Sequence, residues 1–263
     1  MSIIALTPLD LALAAVLVMV LAALSWMLRL GVGRQLLVAA LRTTVQLLLI
    51  GLVLKALFEN VHLAWLGVVS LSMLLLAGRE VMVRQKRRFR GWWGFGLGTL
   101  AMFVSSFVVT ILALTVIIDN QPWYLPQYAI PLLGMLLGNT MNGISLGLDQ
   151  LTRAAWEQRE VIEQRLLLGG SWREAIGDIR REAMRVGLVP IINAMAAAGI
   201  VSLPGMMTGQ ILAGAAPVIA VNYQILIMFL IAAGTGFGTM VAVSMGARRL
   251  FDRRHRLCLG RLK

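Results

Sequence analysis

The chain has 263 residues, of which 59% are hydrophobic and only 14% are charged, and its mean hydropathy is +0.83. Soluble domains contain about 45–50% apolar and about 25% charged residues, so this composition excludes an ordinary soluble enzyme or binding module. The net charge of +12 would suit a nucleic-acid partner. The basic residues, however, cluster in short segments between apolar runs, which predicts a membrane protein without a nucleic-acid partner.

Seven apolar runs follow one another, each near the length of about 20 residues that crosses a hydrocarbon core of about 30 Å. The first is preceded by no Lys or Arg, so we expect a retained helix rather than a signal peptide. The sixth contains Gly199 and Pro204, which would interrupt a helix. The predicted spans are 8–28, 36–58, 61–77, 92–118, 127–148, 186–214 and 222–246. The predicted fold class is all-α, a polytopic membrane protein.

Lys and Arg give the orientation, because basic loops stay on the cytoplasmic side of a membrane. With the N-terminus periplasmic and the C-terminus cytoplasmic, the inner segments hold all but two of the 24 basic residues. The exceptions, Arg42 and Lys55, lie inside the second span. We therefore predict a multi-pass inner-membrane protein of about seven helices, with residues 1–263 forming a single transmembrane permease domain.

Residues 149–185 are the one long polar stretch between the spans. Acidic and basic residues alternate there along a helical pattern that also carries an apolar stripe. Gly169 and Gly170 break this pattern, and Ser171 to Glu174 matches a capping box that starts a second helix. We predict a cytoplasmic helix–turn–helix suited to docking into a partner's groove. An ordinary connecting loop with a solvated charged face is the alternative.

A transporter needs an energy source, and the sequence shows none of its own. The three lysines, Lys55, Lys86 and Lys263, do not follow a glycine, so there is no GxxxxGK[ST] nucleotide loop. No Asp or Glu lies in the middle of a predicted span, which argues against coupling to an ion gradient. We expect a chain that is not an enzyme by itself, contains no cofactor, and is driven by a cytoplasmic partner through 149–185.

Several motifs resemble those of ABC-transporter permeases. Glu163-Gln-Arg-Leu-Leu-Leu-Gly169, followed by Ile179, resembles their Glu-Ala-Ala…Gly…Ile loop, with Gln164-Arg165 in place of Ala-Ala. Further motifs resemble the bacterial Fet-type permeases linked to iron export, to which plant aluminium-tolerance membrane subunits are related. These are Arg42-x-x-x-Gln46-Leu, Gly51-x-Val-Leu54, Pro131-x-x-Gly134-Met-x-x-Gly138-Asn139, Leu167-Leu-Gly169, and Val201-Ser-Leu-Pro-Gly-Met-Met-Thr-Gly209 with Ala213-Gly214 and Pro217.

This resemblance implies the permease subunit of a two-component ABC exporter in the bacterial inner membrane. It implies a separate ATPase subunit that binds ATP and Mg, and a homodimeric core of two permeases with two ATPases. The implied cargo is iron or an iron-containing species, with a role in metal homeostasis and resistance. Another cargo, such as a nucleotide-sugar, is an alternative within the same class. A non-transporting membrane receptor or scaffold is the alternative from a different class.

Polar and thioether side chains inside the spans are the candidates for a substrate pathway. Charged and polar groups at membrane depth face a bundle interior or a cavity, and broken helices often form binding sites. Snorkelling, helix packing and core filling are the respective alternatives. The candidates are Arg42 and Gln46 on one face of the second span, Met135, Asn139 and Asn142 on one face of the fifth, and Met206, Met207 and Thr208 in the sixth.

The candidates for coupling to the ATPase lie at the predicted turn: Glu163, Leu167, Gly169, Gly170 and Ser171. A metal-ligand set is unknown, because thioethers prefer Cu(I) whereas iron favours carboxylate, His or Cys. The two histidines and the one cysteine lie in a loop and in the tail. The pairs Gly134/Gly138 and Gly143/Gly147 have the small-xxx-small spacing that allows helices to approach closely, so we expect them to serve packing.

Overall fold

The computed structural model describes residues 7–59, 61–119 and 121–263. These residues are almost entirely helical and form no β-strand, which confirms the all-α membrane fold. The helices are α1 (Pro8–Met27), α2 (Gly33–Glu59), α3 (Leu63–Arg84), α4 (Trp92–Met102), α5 (Val108–Leu112), α6 (Pro126–Glu157), α7 (Arg159–Leu167), α8 (Trp172–Ala175), α9 (Gly177–Ala197), α10 (Gly205–Leu212) and α11 (Pro217–Arg249), with a final 3-10 turn at Leu259–Arg261.

Six helices in the described ranges are long and apolar enough to cross a membrane. They are α1, α2, α3, the continuous helix Trp92–Ile117 that contains α4 and α5, α6 and α11. Two π-helical segments, Phe103–Phe107 and Ala113–Ile117, lie within the fourth of these. The total of seven spans and the orientation of the termini stay predictions.

The predicted span 186–214 is broken rather than continuous. α9 ends at Ala197, and the chain then turns through Gly199, whose φ of +80° suits a residue without a side chain. The Gly199 amide donates to the Ser202 carbonyl at 2.9 Å, which closes the turn. Pro204 follows and α10 starts at Gly205, so a short helix replaces the second half of the predicted span. Gly199 and Pro204 therefore interrupt the helix, as the sequence predicts.

The chain forms two compact units, and the smaller one contains α1 and α2. A turn through Arg29 and Gly31, both with positive φ, joins these helices. They approach closely at Gly33, where an added Cβ would lie 3.0 Å from the Ala22 carbonyl oxygen. None of the most apolar stretch of α2 is buried by protein, so its side chains face outward, as lipid-contacting residues do. That residues 1–263 act as a single permease domain stays a prediction.

The larger unit is built around α6, which packs against α3, α9 and α11. Glycines allow this packing: a Cβ on Gly143 would lie 2.9 Å from the Gly187 carbonyl oxygen, and one on Gly187 would lie 2.6 Å from that of Gly143. A Cβ on Gly147 would lie 3.2 Å from the Ala183 carbonyl oxygen. The predicted packing role of Gly143 and Gly147 is confirmed, and α6 and α9 are held with their backbones almost in contact. The other predicted pair differs: a Cβ on Gly134 would lie 3.2 Å from Met73 Cε, but one on Gly138 would meet nothing within 4 Å, so no close backbone approach occurs there.

The last turn of α11, the 85–91 loop and the C-terminal tail meet at one end of the larger unit, which we call the basic end. Leu262 pairs with Phe89 in an antiparallel bridge, and both side chains are buried. Lys263 and Arg88 exchange backbone hydrogen bonds of 2.8 and 3.1 Å. The Lys86 amide also donates to the Asp149 carboxylate of α6 at 2.8 Å. The loop and the tail are therefore fixed to each other and to α6.

Candidate functional site

A tight turn joins α7 to α8 within the predicted helix–turn–helix. α7 ends at Leu167, and Gly169 has a φ of +90°, a conformation that other residues adopt only at a cost. The Gly170 amide donates to the Arg165 carbonyl at 3.0 Å, which satisfies a carbonyl at the helix end. The turn therefore depends on glycine at 169, and at 170 because an added Cβ would lie 2.8 Å from that Arg165 oxygen.

Ser171 and Glu174 form the capping box predicted from the sequence. The Ser171 amide and hydroxyl both donate to Glu174 Oε2, at 2.7 and 2.9 Å. These two donors hold the pKa of the Glu174 carboxyl below its ordinary value. The capping box fixes the start of α8 immediately after the glycines, so the direction in which the chain leaves the turn is set.

Arg165 connects the two sides of the turn, a role that was not predicted. Its guanidinium lies 3.0 Å from the Asp178 carboxylate of α9 and donates to the Ala175 carbonyl at 3.3 Å. The hydrogen bond and charge of Arg165, with the charge of Arg181, hold the pKa of Asp178 below its usual range. The signal was in the sequence, since Arg165 replaces a small residue of the permease motif. Its partner, however, lies across a turn whose geometry the sequence does not give.

The end of this helix–turn–helix is apolar and uncovered. Leu167 and Leu168 are 87% and 88% exposed, whereas Ile162 and Ile176 beside them are completely buried. Glu163 lies one turn before Leu167 on α7 and is also exposed. Two leucines open to water on an otherwise charged segment are unusual unless a partner covers them. We call Glu163 and Leu167–Ser171 the tip.

The α6 face predicted to line a pathway is only partly open. Met135 and Asn139 are half-buried, and the Asn139 amide donates to the Met135 carbonyl at 2.8 Å within the helix. Asn142 is exposed, and its Oδ1 accepts a hydrogen bond from Arg84 Nη1 of α3 at 2.5 Å. The interaction of Asn142 with Arg84 was missed because the sequence assigns Arg84 to a loop, whereas α3 continues to that residue.

The methionines of α6 and α10 lie at two different cavities. Met135 and Met206 line one small cavity of about 50 Å³, next to Tyr223 of α11. Met207 lines a larger cavity of about 620 Å³ between α9, α10 and α11. The Thr208 hydroxyl donates to the Pro204 carbonyl at 3.2 Å, so it supports the start of α10. The structure thus brings Met135 and Met206 together and separates Met207 from them.

The larger cavity contains a polar group that the sequence did not single out. Its wall is apolar, with the thioethers Met195, Met207 and Met228, and Gln224 of α11 contributes an amide. Gln224 Oε1 is buried, and no hydrogen-bond partner for it exists among the described residues. A buried acceptor without a partner costs about 1–3 kcal/mol, so a water or ligand donor in this cavity would satisfy it. This cavity is a candidate chamber for a transported solute.

Arg42 and Gln46 lie one helical turn apart on α2, in the smaller unit, and both are exposed. Their predicted pathway role stays a prediction. Within residues 7–59, 61–119 and 121–263 there is no group of three His, Cys, Asp or Glu side chains that could hold a metal ion.

The chain is similar to proteins of one family. The model described as "Uncharacterised protein family (UPF0014)" matches residues 8–251. The UPF0014 membrane protein slr1647 of Synechocystis is 40% identical over 228 residues, covering 85% of each chain. The probable iron export permease protein FetB of Escherichia coli is 29% identical over 97% of this chain and 96% of its own.

A plant protein is similar as well, in agreement with the resemblance noted from the motifs. The protein Aluminum Sensitive 3 of Arabidopsis thaliana is 33% identical over 82% of this chain and 77% of its own length. No solved structure matches the chain.

Proposed function

From the premise that the chain belongs to the UPF0014 family of membrane proteins, we propose that it is the permease subunit of a two-component ABC exporter. Iron or an iron-containing species is the proposed cargo, because FetB, similar over nearly the whole chain, is named a probable iron export permease. ATP and Mg bind to a separate ATPase subunit, and two permeases assemble with two ATPases.

The observation that carries this proposal is the tip. Its two exposed leucines project from a segment whose turn is fixed by the Ser171 capping box and the Arg165–Asp178 pair. A rigid apolar tip suits insertion into a preformed groove of a partner, since little conformational entropy is lost on binding. An ordinary connecting loop would need neither the exposed leucines nor the contacts that fix them.

The position of the tip also suits force transmission. α6 leads into it through Glu157 and α7, and α9 leaves it at Gly177. α6 carries Met135 and Asn139, and α9 leads to the broken region next to the chamber at Gln224. A push on the tip by ATP-driven closure of the partner would therefore be transmitted to both candidate pathway elements.

Coexpression of the full chain with the ABC ATPase encoded nearest to its gene tests the coupling. We expect a detergent-stable complex whose ATPase activity depends on lipid reconstitution of both subunits. Leu167→Glu with Leu168→Glu should abolish the complex, because four desolvated carboxylate oxygens would replace the apolar contact. Val161→Glu is the control, because Val161 is also exposed on α7 but lies away from the turn. Complex formation that survives the double change would contradict the proposal.

Inverted vesicles containing both subunits then test the cargo. We expect ATP-dependent uptake of Fe(II), and none when the ATPase carries a substitution of its catalytic glutamate. UDP-glucose in a parallel assay tests the alternative cargo. ATP-dependent uptake of UDP-glucose without uptake of iron would retain the permease assignment and reject iron.

A further inference from the structure

A cavity of about 610 Å³ at the basic end is not explained by transport or by ATPase docking. It lies between the last turn of α11, the first turn of α4, α8 and the C-terminal tail, and its volume is typical of a small-molecule site. One wall is apolar and includes Trp93, Trp172 and Phe251. The lining also contains His255, four arginines and a single carboxylate: Arg248, Arg249, Arg253, Arg261 and Asp252.

The one carboxylate is already occupied by other groups. Asp252 Oδ1 accepts hydrogen bonds from the backbone amides of Arg254 and Arg256, and Oδ2 accepts one from Arg256 Nε, all at 2.8 Å. Arg261 is also occupied, because Nη1 donates to the carbonyls of Arg249 and Phe251 at 2.7 and 3.0 Å. Asp252 is therefore paired with Arg256, and Arg261 is held by backbone carbonyls.

Three guanidinium groups remain. In the part of the chain that the structure describes, no carboxylate forms an ion pair with Arg248, Arg249 or Arg253. The C-terminus of α11 favours positive charge, which accounts for a basic residue in its last turn but not for Arg253 in the tail. Arg249 also stacks on Trp93, with Cζ 4.5 Å from the ring centre. Their convergence on one cavity indicates an anionic ligand.

An adjoining cavity of about 370 Å³ extends this arrangement. It shares Trp172, Met245 and Arg248 with the first and adds Arg173 and Arg180. Arg180 Nε is buried, and no hydrogen-bond partner for it is found among the described residues. A buried charged donor without an acceptor is costly, so a ligand that brings oxygen atoms to this position would stabilise the site.

The membrane is the nearest source of such a ligand. The long apolar helix Trp92–Ile117 begins at this cavity, and α11 ends at it. Trp92, 86% exposed, and Trp93 stand at the start of the first, the position that tryptophan favours at a membrane–water interface. We propose that the cavity binds the headgroup of an acidic phospholipid, with its phosphate at Arg248, Arg249 and Arg253 and its glycerol against Trp93 and Trp172.

Tryptophan quenching by brominated lipid tests this proposal on the full chain. The chain is placed in phosphatidylcholine nanodiscs containing a few per cent of brominated phosphatidylglycerol or, in parallel, brominated phosphatidylcholine. We expect stronger quenching by phosphatidylglycerol, and a loss of about tenfold or more in its apparent affinity in R248Q/R249Q/R253Q. The control R153Q/R159Q/R254Q removes the same charge from exposed positions outside the cavity and should keep the preference.

The alternatives give different results. Equal weakening in both triple variants would mean general attraction to the membrane surface and would overturn the site, as would equal quenching by the two lipids. Reversal of quenching by soluble glycerol phosphate at millimolar concentration would overturn the lipid assignment in favour of a soluble phosphate ester. The single variant R253Q lies outside α11 and leaves the helix end intact, and it should also weaken the preference. An unchanged preference in R253Q would contradict the phosphate position at Arg253.

Discussion

Gly169 illustrates how one residue sets the geometry of the tip. With a φ of +90°, it has a conformation that costs other residues about 1–2 kcal/mol. We predict that Gly169→Val increases amide hydrogen exchange of residues 162–176 while membrane insertion is unchanged. Complex formation with the ATPase should fall at the same time.

Gly177→Ala is the matched control for this change. A Cβ at Gly177 meets only Arg181 Nη1 at 3.7 Å, an ordinary contact, and its backbone φ is not in the left-handed region. This variant should behave as the unmodified chain does. Protection of residues 162–176 that is the same in Gly169→Val and Gly177→Ala would contradict the role assigned to the turn.

Asn142 gives a second prediction at this scale. Its side-chain oxygen accepts the hydrogen bond from Arg84 that joins α6 to α3. Loss of a hydrogen bond to a charged donor costs about 1.5–3 kcal/mol. We predict that Asn142→Ala lowers ATP-dependent transport about tenfold, and that Asn142→Asp, which retains an acceptor, keeps most of it.

Vesicle uptake at matched protein content measures this effect, with immunoblotting of the assembled complex as the check on folding. Leu146→Ala, one turn further along the same exposed side of α6, is the control. Equal transport by Asn142→Ala and Leu146→Ala would show that the contact with Arg84 is not used in transport.

At the scale of elements, the tip segment depends on pH. The pKa values of Glu174 and Asp178 lie below their ordinary values of 4.5 and 3.8 in the folded chain, because Ser171 and Arg165 stabilise the ionised carboxylates. The folded segment therefore binds fewer protons than the unfolded one, and its stability falls as pH decreases below those ordinary values. We predict that hydrogen exchange of residues 159–180, corrected for its intrinsic pH dependence, increases below about pH 4.5.

Glu174→Gln and Asp178→Asn remove these ionisations and should flatten the pH dependence, with less protection at neutral pH. Asp149→Asn is a control, since its carboxylate accepts a hydrogen bond from the Lys86 backbone amide and lies outside the turn. A double variant that retains the full pH dependence would contradict the assignment to these two groups.

The elements differ in how well the sequence predicted them. The first, second and fourth spans are identified to within a few residues, because crossing hydrocarbon requires a long uninterrupted run. α3, α6 and α11 extend several residues beyond the predicted ends, and the predicted span 186–214 is broken. The capping box of Ser171 and Glu174 is local, and it was also found. The contacts of Arg165 with Asp178 and of Arg84 with Asn142 were not, because each joins side chains whose helices meet only in the folded chain.

The candidate chamber shows the same limit. The sequence pointed to Met206 and Met207 as neighbours in one broken span, but they face different cavities because adjacent helical residues point about 100° apart. In the sequence, Gln224 lies beside Asn222 and Tyr223 near the predicted start of the seventh span. Only its burial without a hydrogen-bond partner in the described chain marks it as a candidate.

For the whole molecule, the orientation in the membrane can be tested with the one cysteine of the sequence. Cys258 lies in the tail at the basic end, is half-buried and forms no disulfide. With the C-terminus cytoplasmic, we predict that a membrane-impermeant maleimide labels Cys258 in inverted vesicles and not in intact cells.

Ala216→Cys in a Cys258→Ser background supplies the opposite case. Ala216 precedes α11 at the end predicted to be periplasmic and is exposed. It should be labelled in intact cells. Labelling of Cys258 from outside, with Ala216→Cys protected, would invert the orientation and exclude docking of a cytoplasmic ATPase at the tip.

The length of α6 has a consequence for the shape of the assembly. Its 32 residues extend about 48 Å at 1.5 Å per residue, whereas the hydrocarbon layer is about 30 Å thick. With its first turn near the far surface, the helix crosses the layer of about 40–45 Å that includes the headgroups, and its last turn stands at the opposite edge of that layer. A partner bound at the tip, which directly precedes Trp172, would therefore lie at the headgroup surface next to the basic end.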